Sequence, residues 1–255
     1  MFLSIMKKIA PVPRLLDYKS FLFVGPHPDD IEVACGSTVA RLIKLGKKVS
    51  FVIATDGCVG SIDQTIPKAE LIAMRQAEAT ASANLLGVSD IKFLPFEDGG
   101  MYDVRDMTKA IAKEIIRIQP EVILTTDHKV PTECHPDHLK VGEATTNAYI
   151  FCPWRKLAET IGSKDVANPI VMAYYCTDKP NTYIKIDKED FDKRFQSIKC
   201  HKSQFCDTDI ELFHSYFTFR AIRFGWRRGG GKRDGYRALA PLHTHCFPEA
   251  SEFNK

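Results

Sequence analysis

Residues 23 to 42 read FVGPHPDDIEVACGSTVARL: an apolar run, a turn of histidine, prolines and acids, then a helical period. A buried strand feeding straight into a helix opens a βαβ unit, which directs the chain toward parallel α/β architectures. In dinucleotide-binding folds this turn is glycine-rich and offers backbone N–H groups to a pyrophosphate. Here it carries His27, Asp29, Asp30 and, after one apolar residue, Glu32. Adjacent carboxylates repel a phosphate and attract a cation, and His27 adds a neutral nitrogen donor at the same turn.

The same rhythm continues. FLFVG (21 to 25), VSFVIAT (49 to 55), IKFLPF (91 to 96) and EVILTT (121 to 126) read as strands. Helical stretches over 33 to 45 and 68 to 86 are closed by Gly46 and Gly87, and Met107, Ile111, Ile115 and Ile118 mark a third that stops at Pro120. Four strands with crossover helices predict a Rossmann-like, three-layer α/β/α fold with a mostly parallel sheet. Further on, 136 to 151 and 188 to 201 read as helices, 154 to 168 as a polar linker, and VMAYYC and NTYIKI as strands. One α/β domain is expected over 1 to 255, with a Rossmann-like metal-binding half (1 to 150) and a substrate-pocket and subunit-contact half (151 to 255). Three glycines within a basic run near the end predict a mobile loop, and residues 1 to 16 an amphipathic extension.

Bulk properties narrow the partners. Against 35 basic residues stand 32 acidic ones, a formal charge of +3, which argues against a protein that lives by gripping nucleic acid. Arg220, Arg223, Arg227, Arg228, Lys232, Arg233 and Arg237, interleaved with aromatics, form a local exception that suits a solvated loop or a subunit contact, and an acidic head group as well as a phosphate backbone. Eight cysteines contain no C-x-x-C pair, so reduced thiols are expected rather than a disulfide or cysteine-zinc framework. No apolar run is long enough to span a bilayer, and the start lacks a cleavable leader pattern; a cytoplasmic protein is expected.

A second cluster, TECHPDHL at 132 to 139, follows the fourth strand and repeats the histidine, proline, aspartate order. In doubly wound sheets the first strand commonly neighbours the fourth, so the loops leaving both meet at the carboxyl edge, where ligands bind. A catalytic zinc takes three protein ligands and leaves one position open, and a mixed histidine and carboxylate set satisfies it. The competing reading is that the aspartates serve as helix N-caps and the histidines as surface pairs. A nucleotide-binding module and a structural protein without chemistry are the remaining alternatives; the first lacks a phosphate loop and the second has no residue that recommends it.

PHPDD (26 to 30), TDG (55 to 57), Arg75 with Glu78 and LLG (85 to 87), HPDH (135 to 138) and HKSQF (201 to 205) together give the chain its likeness. It resembles the LmbE-like, or PIG-L, family of zinc-dependent N-acetylglucosamine deacetylases, and GYRALAPLHTH looks like the branch acting on chitin-derived disaccharides. The resemblance implies Zn2+ held by His27, Asp30 and His138, with Asp29 as general base, His135 near the scissile carbonyl and Asp137 tuning it. It further implies Arg75 and Glu78 at the pocket rim, with Asp56 nearby. His245 or His243 would reach a pocket, in a homo-oligomer that of a neighbouring subunit. The implied substrate is a small amino sugar carrying an N-acetyl group; a thiol-glycoside or a nucleotide-linked amino sugar is the alternative. Where the family commonly has two glycines this chain has Cys35 and Gly36, and Ala-Leu-Ala-Pro replaces an acidic, aromatic motif near the end.

Overall fold

The computed structural model describes residues 2–226, 228–245 and 248–253. Strand β1 (Ser20–Gly25) is the third of seven strands in one sheet, flanked on both sides. Its residues 21 to 24 are at most 1% exposed, as a strand covered on both faces must be. β1 pairs in parallel with β2 (Lys48–Thr55) on one side and β4 (Val122–Thr126) on the other. β3 (Asp90–Phe96) and β5 (Val171–Tyr175) extend the parallel block outward. Two antiparallel strands, β6 (Thr182–Ile186) and β7 (Lys232–Leu239), complete the order β3-β2-β1-β4-β5-β7-β6. Strand order therefore reverses between β1 and β4, as the sequence predicts.

Alternation along β1 divides the core in two. Phe21 and Phe23 join the apolar cluster under α2 (Asp30–Lys44), α3 (Lys68–Leu86) and α7 (Lys188–Ile198). Leu22 and Val24 join the opposite cluster, under α4 (Val104–Ile118) and α5 (Pro136–Phe151). Met107, Ile111 and Ile115 of α4 are fully buried there, each contributing about 1.5–3 kcal/mol by leaving water. Asp103 caps α4 by accepting from the Arg105 N–H, and Gln119 closes it in the left-handed region just before Pro120. No described helix is long and apolar enough to cross a membrane.

Three regions depart from the expectation. In the basic tail the irregular part shrinks to the glycine turn, which joins α8 (Asp207–Trp226) to β7. The glycines at 229, 230 and 231 all have positive φ, 82°, 77° and 74°, and turn the chain sharply from helix into strand, a path glycine follows without a side-chain clash. Its helical period is hard to read because both faces are apolar: Phe217, Ala221 and Phe224 are buried, whereas Tyr216, Phe219 and Trp226 are exposed. Residues expected as a linker contain α6 (Arg155–Thr160), and α7 stops at Ile198, before His201. At the other end, α1 (Phe2–Ile9) is the expected extension, its Lys7 ammonium lying 5.8 Å from the Phe253 ring centroid.

Candidate metal centre at the carboxyl edge

β1 delivers the first cluster. After Gly25 the chain turns so that the Asp29 N–H donates to the His27 carbonyl at 2.9 Å, and α2 begins at Asp30. Asp29 occupies the N-cap position without making a side-chain cap bond. Its carboxylate accepts from Arg75 Nη2 at 2.9 Å instead, so the simple capping reading does not hold. Thr55, at the end of β2, donates through both its N–H and its hydroxyl to the Pro26 carbonyl, fastening this turn to its neighbour.

The second cluster opens α5. His135 caps that helix by accepting from the Asp137 N–H at 3.3 Å, which leaves His138 in the first turn. Ring centroids of His27 and His138 are 5.4 Å apart, those of His27 and His135 4.7 Å, and those of His135 and His138 5.0 Å. Segments more than a hundred residues apart in sequence thus converge because β1 and β4 are neighbours.

Among the described residues, two overlapping donor sets have their ligand atoms within 4.8 Å of one another: His27, Asp30 and His138, and His27, His135 and Asp137. The first fits a bound ion better. Asp30 lies between the imidazoles, 3.1 Å from His27 Nδ1 and 3.4 Å from His138 Nε2, and donors around a tetrahedral zinc with bonds of roughly 2.1 Å stand about 3.4 Å apart. The other nitrogen of each ring already meets a carboxylate. His27 Nε2 lies 3.3 Å from both Asp137 and Asp98, and His138 Nδ1 is 3.1 Å from Glu133. Histidines that bind metals usually have this outer partner, which fixes ring and tautomer. In the second set Asp137 would have to leave that role, although it also accepts from the Tyr102 hydroxyl at 2.7 Å and the Gly99 N–H at 2.9 Å.

Electrostatics point the same way. Burial opposes charge on His27, yet hydrogen bonds to Asp137, Asp30 and Asp98 push it up to about 12; His138, likewise opposed by burial, rises to about 9 beside Asp30 and Glu133. Burial works against ionised Asp30 too, but His138 and His27 hold it well below the usual carboxylate range. Such an excess of carboxylates suits a cation. Asp29 behaves differently: burial and the neighbouring Asp30 raise it, partly offset by Arg75, His201 and His27.

Of the remaining expected residues, only Arg75 touches the cluster. Arg75, 3% exposed, lines the same cavity as His27, Asp29 and Asp30, and its guanidinium joins Asp29 to the Gly57 carbonyl. Glu78 turns away to accept from the N–H and hydroxyl of Ser203. Asp56 accepts from the N–H groups of Cys58 and Asp98, bracing the loops after β2 and β3. His243 is buried, taking the Ala240 N–H on Nδ1 and facing the Ala10 carbonyl with Nε2 at 2.9 Å, so it braces the N-terminal segment rather than lining this cavity. His245 is exposed beside Tyr149 and Trp154, at the opposite end of α5 from His138. Sixteen residues of helix put roughly 20 Å between those ends, so within one chain His245 lies away from the cluster. Asp98 and Glu133 were missed; Glu133 is two residues before His135, whereas Asp98 had no motif around it.

Gly57 has φ +67°, and a Cβ there would lie 2.7 Å from Arg75 Nη1 and 2.8 Å from Pro28 Cδ. Gly57→Ala is expected to cost roughly 1–2 kcal/mol in backbone strain alone and to lower activity by displacing Arg75. A thermal midpoint equal to that of the parent, with equal turnover, would contradict this.

The reversed strand order and the two clusters meeting at its carboxyl edge define a doubly wound α/β protein with a candidate metal site. The chain belongs to the PIG-L family: the model described as GlcNAc-PI de-N-acetylase matches residues 22–149, which hold both clusters. It is 30% identical to diacetylchitobiose deacetylase of Thermococcus kodakarensis over 92% of this chain and 88% of that protein. Among solved structures, N,N'-diacetylchitobiose deacetylase from Pyrococcus horikoshii superposes with a TM-score of 0.86 at 28% identity, covering 97% of this chain and 96% of that one. GalB, the 4-carboxy-2-hydroxymuconate hydratase of Pseudomonas putida, superposes at 0.70 and 23% identity over 88% of this chain and 97% of that one, a likeness of fold alone.

Proposed function

We propose that this chain hydrolyses the acetamide of an N-acetylglucosamine-containing small molecule to a free amine and acetate, using zinc held by His27, Asp30 and His138. The observation that carries the reading is that both imidazoles flanking Asp30 have their other nitrogen on a carboxylate. Zinc at such a site lowers the pKa of water and polarises a carbonyl. Asp29, beside the cluster but committed to Arg75, is the carboxylate left to take the water proton. Arg75 fixes the orientation of that base. His135, nearly half exposed beside His27, faces the cavity where negative charge develops on the carbonyl oxygen. Either Asp29 or His135 returns a proton to the departing nitrogen.

His245 reaches a substrate pocket only in a neighbouring copy, which makes a homo-oligomer part of this reading. Seven free cysteines among the described residues suit a reducing, cytoplasmic setting. The test is acetate and amine release from N-acetylglucosamine, N,N'-diacetylchitobiose and acylated thiol-glycosides. Stripping the protein with a chelator is expected to abolish release, and one equivalent of zinc to restore it. Full activity in metal-free protein would overturn the metal role; no release from any acetylated sugar would overturn the activity.

A further inference from the structure

The basic run near the C-terminus is not a single patch. Arg237 pairs with Asp127 at 2.7 Å, Arg228 lies 3.5 Å from the centroid of the Tyr183 ring, Lys232 lies 3.5 Å from that of Phe191, and Arg233 donates to the Arg228 carbonyl. Arg220 lies 5.2 Å from the centroid of the Phe224 ring, but among the described residues neither it nor Arg223 has a carboxylate within 4.0 Å. Both line a cavity of about 670 Å³ together with Thr132, Cys176, Tyr216 and Phe219.

The chain links that cavity to the metal centre at two places. Thr132 immediately precedes Glu133, the partner of His138. On α8, Phe213 lines the roughly 320 Å³ cavity over His27 and Asp29, and Tyr216 and Arg220, one and two turns on, line the larger one. Cys176 is near enough to Asp30, Glu133 and Arg220 for all three charges to act on its thiol. Asp178 supplies a carboxylate to the wall without pairing with either arginine.

We infer that the cavity beside α8 is a second subsite that takes an anionic group carried by the acetylated sugar, with Arg220 and Arg223 binding the anion and Tyr216 and Phe219 packing on the portion that links it. This rests on the deacetylase reading and narrows it: the substrate is an acidic N-acetylglucosamine derivative rather than a neutral disaccharide. Planar guanidinium groups match carboxylates and phosphates through paired N–H donors, so either anion fits this chemistry.

The experiment compares kcat/KM on three probes at low ionic strength: N,N'-diacetylchitobiose, N-acetylglucosamine 1-phosphate and the malate glycoside of N-acetylglucosamine. The phosphate and carboxylate arms separate the two sources of charge. At least one anionic probe is expected to exceed the neutral one by tenfold or more, and R220Q/R223Q to reduce that ratio at least tenfold. R220K/R223K should restore part of it, and added salt should erode it. Calorimetric titration with the same anionic probes gives a readout independent of turnover, in which R220Q/R223Q should bind at least tenfold more weakly. Equal ratios and equal binding in parent and variant would overturn the subsite. Arginine-dependent binding without acetate release would instead overturn the deacetylase reading and leave the subsite standing.

Discussion

Asp29→Asn is expected to keep its metal and lose turnover by roughly 10²–10⁴-fold, the contribution of a positioned general base. Asp29 is 7% exposed and next in sequence to Asp30, but the two carboxylates go to different partners. Asp30 spans His27 and His138, whereas Asp29 faces Arg75. The amide preserves shape and a hydrogen-bond acceptor for Arg75 and removes only basicity. The diagnostic is metal content per chain measured beside acetate release. Undiminished turnover would remove Asp29 as base, and lost metal would make it a ligand. His27→Ala and His138→Ala, by contrast, should lose both metal and activity.

Arg194→Leu is expected to destabilise the fold by about 3–5 kcal/mol, the cost of leaving a buried charge without its partner. Arg194 is fully buried on α7, donates to Asp234 of β7 at 2.9 Å and to the Ala34 carbonyl of α2 at 3.0 Å, and lies 4.6 Å from the centroid of the Phe217 ring on α8. It therefore joins the helix that carries Asp30 to elements that the sequence alone does not bring together. Gly36 makes the approach possible: a Cβ there would sit 3.1 Å from Arg194 Cα. This gives a physical reason for keeping glycine at 36, and Cys35 beside it is fully buried in the core. Urea unfolding should show the loss, and Arg194→Leu combined with Asp234→Leu should recover part of it. A change below about 1 kcal/mol for the single variant would mean that the pair is not a structural tie.

The parallel core was legible because each strand is a short apolar run bounded by glycine, proline or polar residues, and because β1 beside β4 is the common arrangement of doubly wound sheets. His27, Asp30, His135 and His138 were legible as a meeting of clusters for the same reason. Arg75 was found by motif, but not its role: nothing in the spacing shows that its guanidinium would turn inward to Asp29. Asp98 was hidden because its approach to His27 depends on the turn after β3, which carries two glycines with positive φ. α8 was missed because its exposed face is apolar as well, which removes the contrast that marks a surface helix. Between His243 and His245 the sequence offers no discrimination; only tertiary placement shows the first braced against Ala10 and the second exposed at the far end of α5.

The proposed chemistry requires a zinc ion on one particular set of three side chains. Anomalous diffraction at the zinc edge from zinc-loaded crystals tests it most directly. A single strong peak coordinated by His27, Asp30 and His138 is expected, with Asp29 off the ion and Asp98, Asp137 and Glu133 on the outer ring nitrogens. A peak between His27, His135 and Asp137, or none at this edge of the sheet, would contradict it.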